Sequence, residues 1–336
     1  MFQIIRLSSE RDQNLIGDIA RAVHQSETLA LSNQNRFLYL LPREHVEIYV
    51  CLQNQVPVAH AALFYNDELH YEDYRSATVG FYECVHDFSA SKKLLDTLEK
   101  RAKEKGCNFL IGPMDGSTWS KYRFVAVNPH PFFTLEPYNP EYYPEQFETA
   151  GFHVIRSYET RILTHTPSES EIEQMRCFYE EEEGLLIRPF DFENFEAEMR
   201  QVYEIGVEIF KHNFLSTPVP LPDFLAMYVP LKDSLDLSLS LVAEHPKRGM
   251  IAFLLAYKEV RAGKNIAVLK TGAKLLSEDF KGISYYLFSL LSKKCFDESY
   301  DQVILALMDQ KNLKALRHAE YGKLYREYFL YGKEIS

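Results

Sequence analysis

Residues 265–296 read NIAVLKTGAKLLSEDFKGISYYLFSLLSKKCF, and residues 301–321 read DQVILALMDQKNLKALRHAEY. Ile266 to Leu269, running on to Leu275, predicts an apolar strand. Ser277-Glu278-Asp279-Phe280-Lys281-Gly282 is a polar turn. Ile283, Tyr286, Leu287, Leu290 and Leu291 then fall on one face of a helix. Val303 to Met308 predicts a second apolar strand, and Asn312 opens a short helix carrying Leu313 and Leu316. A strand that feeds a glycine turn into a helix is an anion-binding device. The first helical amides have no intrahelical partner, and the helix dipole favours negative charge there.

This order resembles the core of the Gcn5-related N-acetyltransferases, the GNAT fold. In that family the turn carries Arg or Gln, two residues, Gly, one residue, then Gly or Ala. The aligned positions here are Asp279, Gly282 and Ser284, so the central glycine matches and the leading residue is an acid. Asn312 and Ala315 match a later Asn-x-x-Ala element; the nearest following tyrosine is Tyr321. The resemblance implies acetyl-CoA, or another acyl-CoA, as co-substrate. It would be held by Gly272, Ala273, Lys274, Phe280, Lys281, Gly282, Ile283, Ser284 and Asn312. Acyl transfer needs a held thioester, a route for the amine proton and a donor for the departing thiolate. Tyr321 is the expected donor and Tyr285 the alternative. Glu83 and Glu278 are the candidate bases.

The rest of the chain repeats the order. In the first half, strands are expected at Phe2–Leu7, Glu47–Cys51, Pro57–Tyr65, Ala77–Val85, Asn108–Ile111 and His153–Leu163. Helices are expected through Ile16–Val23, after Asp87, and at Pro144–Ala150. In the second half, Leu185–Phe190 is a strand, Phe195–His212 and Pro222–Tyr228 are helices, and Leu239–Ala243, Gly249–Tyr257 and Tyr325–Tyr331 are strands. The expected fold class is α/β (α+β): two GNAT-like domains, each a mixed, mostly antiparallel sheet flanked by helices. Residues 1–166 form the first domain and 185–336 the second. Between them, 167–184 is expected to be an acidic linker, because 168–183 hold seven Glu and one Arg. The runs Phe109-Leu110-Ile111-Gly112-Pro113, Tyr138-Asn139-Pro140-Glu141-Tyr142-Tyr143, Lys270-Thr271-Gly272-Ala273 and Lys323-Leu324-Tyr325-Arg326-Glu327-Tyr328 resemble a bacterial group of tandem GNAT-like proteins. The first half lacks a glycine in its turn at His86–Lys92, and Asp87 works against an anion there. The second half is therefore the expected coenzyme A lobe.

Composition bounds the function. With 46% apolar and 25% charged residues in 336, the chain has ample material for two packed cores. A net charge of −11 disfavours nucleic acid and anionic membrane as partners, and with them a transferase acting on charged tRNA. The five cysteines, at 51, 84, 107, 177 and 295, contain no CxxC pair and read as reduced thiols. No apolar run is long enough to span a bilayer and no signal segment is evident, so the expected compartment is cytoplasmic. No HExxH, GxSxG, Walker A or GxGxxG element occurs, and no metal is expected. The leading reading is an acyl-CoA-dependent N-acyltransferase acting on a small amine or amino-acid-like acceptor, with homodimerisation left open. The alternative is a non-catalytic GNAT-fold binding or scaffold protein with a degenerate coenzyme A loop.

Overall fold

The structure, a computed structural model, describes residues 1–126, 130–312 and 320–335. In chain order the elements are β1 (Phe2–Arg6), α1 (Gln13–His24), α2 (Glu27–Leu40), β2 (Val46–Gln53), β3 (Val56–Tyr71), β4 (Tyr74–Cys84), α3 (Phe88–Glu104), β5 (Phe109–Gly112), β6 (Phe124–Val125), α4 (Tyr143–Thr149) and β7 (His153–Leu163). They continue with α5 (Glu169–Arg176), β8 (Leu186–Pro189), α6 (Phe195–Phe210), α7 (Leu221–Tyr228), β9 (Leu241–His245), β10 (Gly249–Arg261), β11 (Lys264–Lys274), α8 (Ile283–Asp297), β12 (Gln302–Asp309) and β13 (Gly322–Glu334).

Two compact units result, Met1–Ser157 with Tyr328–Ser336, and Tyr158–Glu327. In unit 1 the strands run β1-β2-β3-β4-β5, followed by the last part of β13. In unit 2 they run β8-β9-β10-β11-β12, followed by the end of β7. Pairing is antiparallel except at β4–β5 and β11–β12. The same local devices build both sheets. Asn54-Gln55 and Ala262-Gly263 all take positive φ, which closes two-residue hairpins between strands of right-handed twist. Each parallel pair is bridged by an amphipathic helix. Helix α3 buries Leu94, Leu95, Leu98 and Ala102, and α8 buries Ile283, Tyr286, Leu287, Leu291 and Cys295.

The units differ from the sequence expectation at their borders. Residues 158–166 lie with unit 2, where Glu159, Arg161 and Ile162 pair with Met308, Leu305 and Ile304 of β12. The last nine residues lie with unit 1. There Tyr331 to Glu334 pair with Gly112 to Phe109 of β5. Tyr328, Leu330 and Tyr331 are fully buried, and Lys333 Nζ reaches Glu99 Oε2 at 2.6 Å and the Ala150 carbonyl at 2.7 Å. A strand pattern reports which face of a strand is buried and not which edge it joins, so this exchange was not readable. Nor is the acidic stretch a free linker. Ser168 and Glu171 form a capping box that starts α5, a π-helical turn follows at Cys177–Glu182, and Ile172 and Tyr179 are buried in the unit 2 core.

The two parallel pairs end differently. In unit 1, β4 and β5 pair over Ser76–Thr78 and Phe109–Ile111. The chain after β5 then folds back into the gap. Met114 N donates to the Val79 carbonyl at 2.8 Å, Gly116 N donates to Thr78 Oγ1 at 3.2 Å, and the Asp115 carboxylate accepts from Phe81 N. A Cβ on Gly80 would lie 2.3 Å from Asp115 Oδ1 and 2.4 Å from the Met114 carbonyl. In unit 2, β11 and β12 pair over Ile266–Leu269 and Gln302–Leu305 and then part. Leu307 takes φ 58° at a bulge, and its amide turns to Thr160 Oγ1. Among the described residues no backbone hydrogen bond joins 270–274 to 306–309.

Two outcomes are expected. Gly80→Ala forces backbone apart in a filled gap and should lower stability by about 1–3 kcal/mol in denaturant unfolding; an unchanged midpoint would refute the packed gap. Deleting residues 328–336 should abolish hydrogen-exchange protection of β5 amides while β11 and α8 amides keep theirs. Retained protection in β5 would show that unit 1 does not depend on the last strand.

Candidate functional site

The turn and helix of the opening stretch form in unit 2. Gly282 is the N-cap of α8 at φ 94°, and among the described residues no side chain caps the helix. The Tyr285 and Tyr286 amides return to the Gly282 carbonyl, which leaves the Ile283 and Ser284 amides without intrahelical acceptors. Lys281 is exposed, Ser284 half-buried, and Ile283 and Phe280 are buried beneath the turn. Lys274 ties the preceding strand end down, its Nζ donating to the Leu275 and Ser277 carbonyls at 3.1 and 2.9 Å. Ala273 is buried against the core, while Gly272 is exposed.

Asp279 stands where the resembling family carries a basic or amide residue. It accepts from Ser277 Oγ at 3.0 Å and pairs with Arg248 at 3.2 Å. Asn312 is exposed, with its amide bonded to the Asp309 carbonyl. The helix expected after it, with Leu313, Ala315 and Leu316, lies outside the described residues, as does the side chain of Glu278.

The two candidate tyrosines come together. The Tyr285 and Tyr321 hydroxyls are hydrogen-bonded to each other, and Tyr321 also packs on Phe288, with ring centroids 5.9 Å apart. Burial and the bond to Tyr321 push the Tyr285 pKa up, so its hydroxyl stays protonated over the physiological range and is able to donate. Beside it lies an open cavity of about 310 Å³ lined by Glu171, Gln174, Met175, Phe178, Tyr179 and Tyr285.

Tyr179, from the segment expected to be linker, was not foreseen at this site. Its ring stacks on Tyr286 with centroids 5.5 Å apart. Its hydroxyl donates to the Lys281 carbonyl, and Tyr286 in turn donates to Glu180. A Cβ on Gly282 would come within 2.7 Å of the Tyr179 hydroxyl. Glycine is thus required twice at 282, by its left-handed backbone and by this close approach. A separation of 102 residues between Tyr179 and Lys281 leaves no local signal from which to infer the contact.

The equivalent helix start in unit 1 is already occupied. The Asp87 carboxylate caps α3, accepting from the Ser89 and Ala90 amides at 2.8 and 3.0 Å. Ser91 is buried and Lys92 is paired with Asp96. Glu83, the first-half candidate base, lies on β4 of unit 1 and not with the tyrosine pair. It is held there by His24, Asn33 and Tyr143. Among the described residues no group of three or more His, Cys, Asp or Glu side chains converges as for a metal ion, and no helix is long and apolar enough to cross a membrane.

No protein-family model matches the sequence, nor does any curated protein. Solved structures do match the fold. A GCN5-related N-acetyltransferase from Anabaena variabilis aligns over 99% of this chain and 73% of its own, with TM-score 0.59 and 10% identity. One from Sphaerobacter thermophilus aligns over 99% of this chain and 96% of its own, with TM-score 0.52 and 14% identity. A tandem GNAT protein from the clavulanic acid biosynthesis pathway aligns over 100% of this chain and 99% of its own, with TM-score 0.53 and 11% identity. Identities this low speak for architecture alone, and that architecture is a tandem GNAT fold built of a mixed, mostly antiparallel sheet and flanking helices in each half.

Proposed function

We propose that this chain binds an acyl-coenzyme A in its second unit and transfers the acyl group to an amine. The observation that carries the reading is the asymmetry between the two clefts. Unit 1 fills the gap between its parting strands with residues 112–116 and caps its helix with Asp87. In unit 2, among the described residues, β11 and β12 pair no further than Leu269 and Leu305, and no side chain caps α8 at Gly282. Backbone amides at a helix start suit a pyrophosphate, and the backbone at the end of a strand suits a thioester carbonyl.

In this reading the Ile283 and Ser284 amides and the Lys281 ammonium hold the phosphates, and 270–274 present backbone to the acyl arm. The Tyr285–Tyr321 pair supplies the proton for the departing thiolate, with one hydroxyl donating outward while the other donates to it. The bond between the hydroxyls fixes the orientation of the outer one, which is what a proton donor needs. A non-catalytic binding protein is the second reading, favoured by Asp279 at the turn and by the Tyr179 hydroxyl lying over it.

Calorimetric titration with coenzyme A tests the site itself, and absence of heat at about 1 mM ligand, where even weak sites register, would overturn it. Turnover of any primary amine with acetyl-CoA would exclude the non-catalytic reading. Ser284→Asp separates ligand contact from scaffold. A carboxylate in the first turn of α8 favours the helix by about 0.3–1 kcal/mol, yet it repels a phosphate. Stability should hold or rise while coenzyme A affinity falls about 10- to 100-fold. Unchanged affinity in this variant would remove the α8 amides from the site.

A further inference from the structure

The cavity beside Tyr285 is built from two stretches of unit 2. Glu171, Gln174, Met175 and Phe178 are spaced at three and four residues, so they share one face of the helical segment that begins with α5 and runs into the π-helical turn. The Tyr179 ring and, from the first turn of α8, Tyr285 close the other side. Met175 is half-buried and Phe178 is 41% exposed, which gives the cavity an apolar floor that water reaches. Its volume of about 310 Å³ is enough for a small molecule.

The polar part of the lining is negative. Glu171 Oε2 accepts from the Ser168 amide at 3.0 Å and from the Ser168 hydroxyl at 2.7 Å. These bonds hold its pKa below the usual carboxylate range, so it is an anion at neutral pH, and they fix the side chain in place. The second oxygen, Oε1, accepts no hydrogen bond among the described residues. Neighbouring carboxylates of the acidic segment are committed elsewhere. Glu169 pairs with Lys293, Glu173 and Glu181 pair with Arg176, and Glu180 accepts from Tyr286. Glu171 has no cationic partner among the described residues. Besides burial and the bond to Tyr321, the charges that act on the Tyr285 hydroxyl are Glu171 and Glu320, both negative. No Lys, Arg or His lines the cavity among the described residues. A cationic head placed here meets a carboxylate oxygen with a lone pair to give, whereas a carboxylate on the ligand meets like charge with nothing to offset it. An apolar body gains by covering Met175 and Phe178.

We propose that this cavity holds the acceptor and selects it by charge: a primary amine with an apolar body and no carboxylate, its ammonium on Glu171 and its body against Met175 and Phe178. The acceptor role rests on the acyl-transfer reading, since Tyr285 belongs both to the cavity and to the proton-donating pair, but recognition of the amine needs no coenzyme A. The test titrates the full-length protein, labelled at its methionine methyl groups, and follows Met175 by NMR. The probes are pentylamine, norleucine (pentylamine with a carboxylate on the carbon that bears the nitrogen) and 1-pentanol. Pentylamine should shift the Met175 methyl saturably, and norleucine and pentanol should each bind at least about 5-fold more weakly. Glu171→Gln keeps the capping box, where Gln serves as Glu does. It should weaken pentylamine about 3- to 10-fold and bring norleucine close to it. Phe178→Ala, at an exposed ring, should weaken pentylamine about 2- to 5-fold. Norleucine binding as tightly as pentylamine, full pentylamine affinity in Glu171→Gln, or no saturable shift would each overturn the proposal. If Glu171→Gln does not fold, the ratio of the three probes and Phe178→Ala still decide it. A protein that selects pentylamine in this way yet gives no heat with coenzyme A keeps the amine site and loses its acceptor role. One that binds coenzyme A without this selection loses the amine site alone.

Discussion

Two neighbouring parallel strands that part company leave backbone donors and acceptors facing an empty wedge, and every such group must find a partner. Much of this molecule depends on how each unit answers that demand. Unit 1 answers with its own chain, turning 112–116 back so that Met114, Asp115 and Gly116 bond Val79, Phe81 and Thr78. The cost is a glycine at 80, where no side chain fits. In unit 2, among the described residues, no backbone hydrogen bond joins 270–274 to 306–309.

The helix starts repeat the contrast in another currency of interaction. Four amides at a helix start carry roughly half a positive charge. Asp87 meets that charge in unit 1 with a covalently attached anion. Gly282 brings none, and the group that lies against it is the neutral hydroxyl of Tyr179. Both asymmetries point to the same half, although they arise from unrelated residues, a loop after β5 and a cap before α3. Their agreement is what gives the choice of unit 2 its weight.

Much of this was legible because it is local. Asn54-Gln55, the glycine at 282, the Asp87 cap and the period of α3 and α8 each act within a few residues, and the elements form where those signals lie. Helix α2 was missed because only Ala30, Phe37 and Leu40 of it are buried, too few to print a period, although Ser26 before Glu27 is an ordinary N-cap pair. What could not be read were contacts between distant stretches. Strand 331–334 pairs with 109–112, His24 meets Glu83 across 59 residues, and Tyr179 meets the Gly282 turn. Periodicity says that such residues are buried but not against what.

The acidic segment shows how far composition misleads when it is read without packing. Seven glutamates suggested a solvated linker, and most of them do face water. The two positions that fix the segment, Ile172 and Tyr179, are apolar or aromatic, and a single buried ring of that size outweighs several exposed charges that cost almost nothing in water. The charge then matters for a different reason. Once Tyr179 is anchored, Glu180 is held at the Tyr286 hydroxyl, one turn into α8, and negative charge there competes with any anionic ligand for the helix start. In unit 2 the packing of one tyrosine thus sets the electrostatics of the turn, and the net charge of the chain by itself would have said nothing about it.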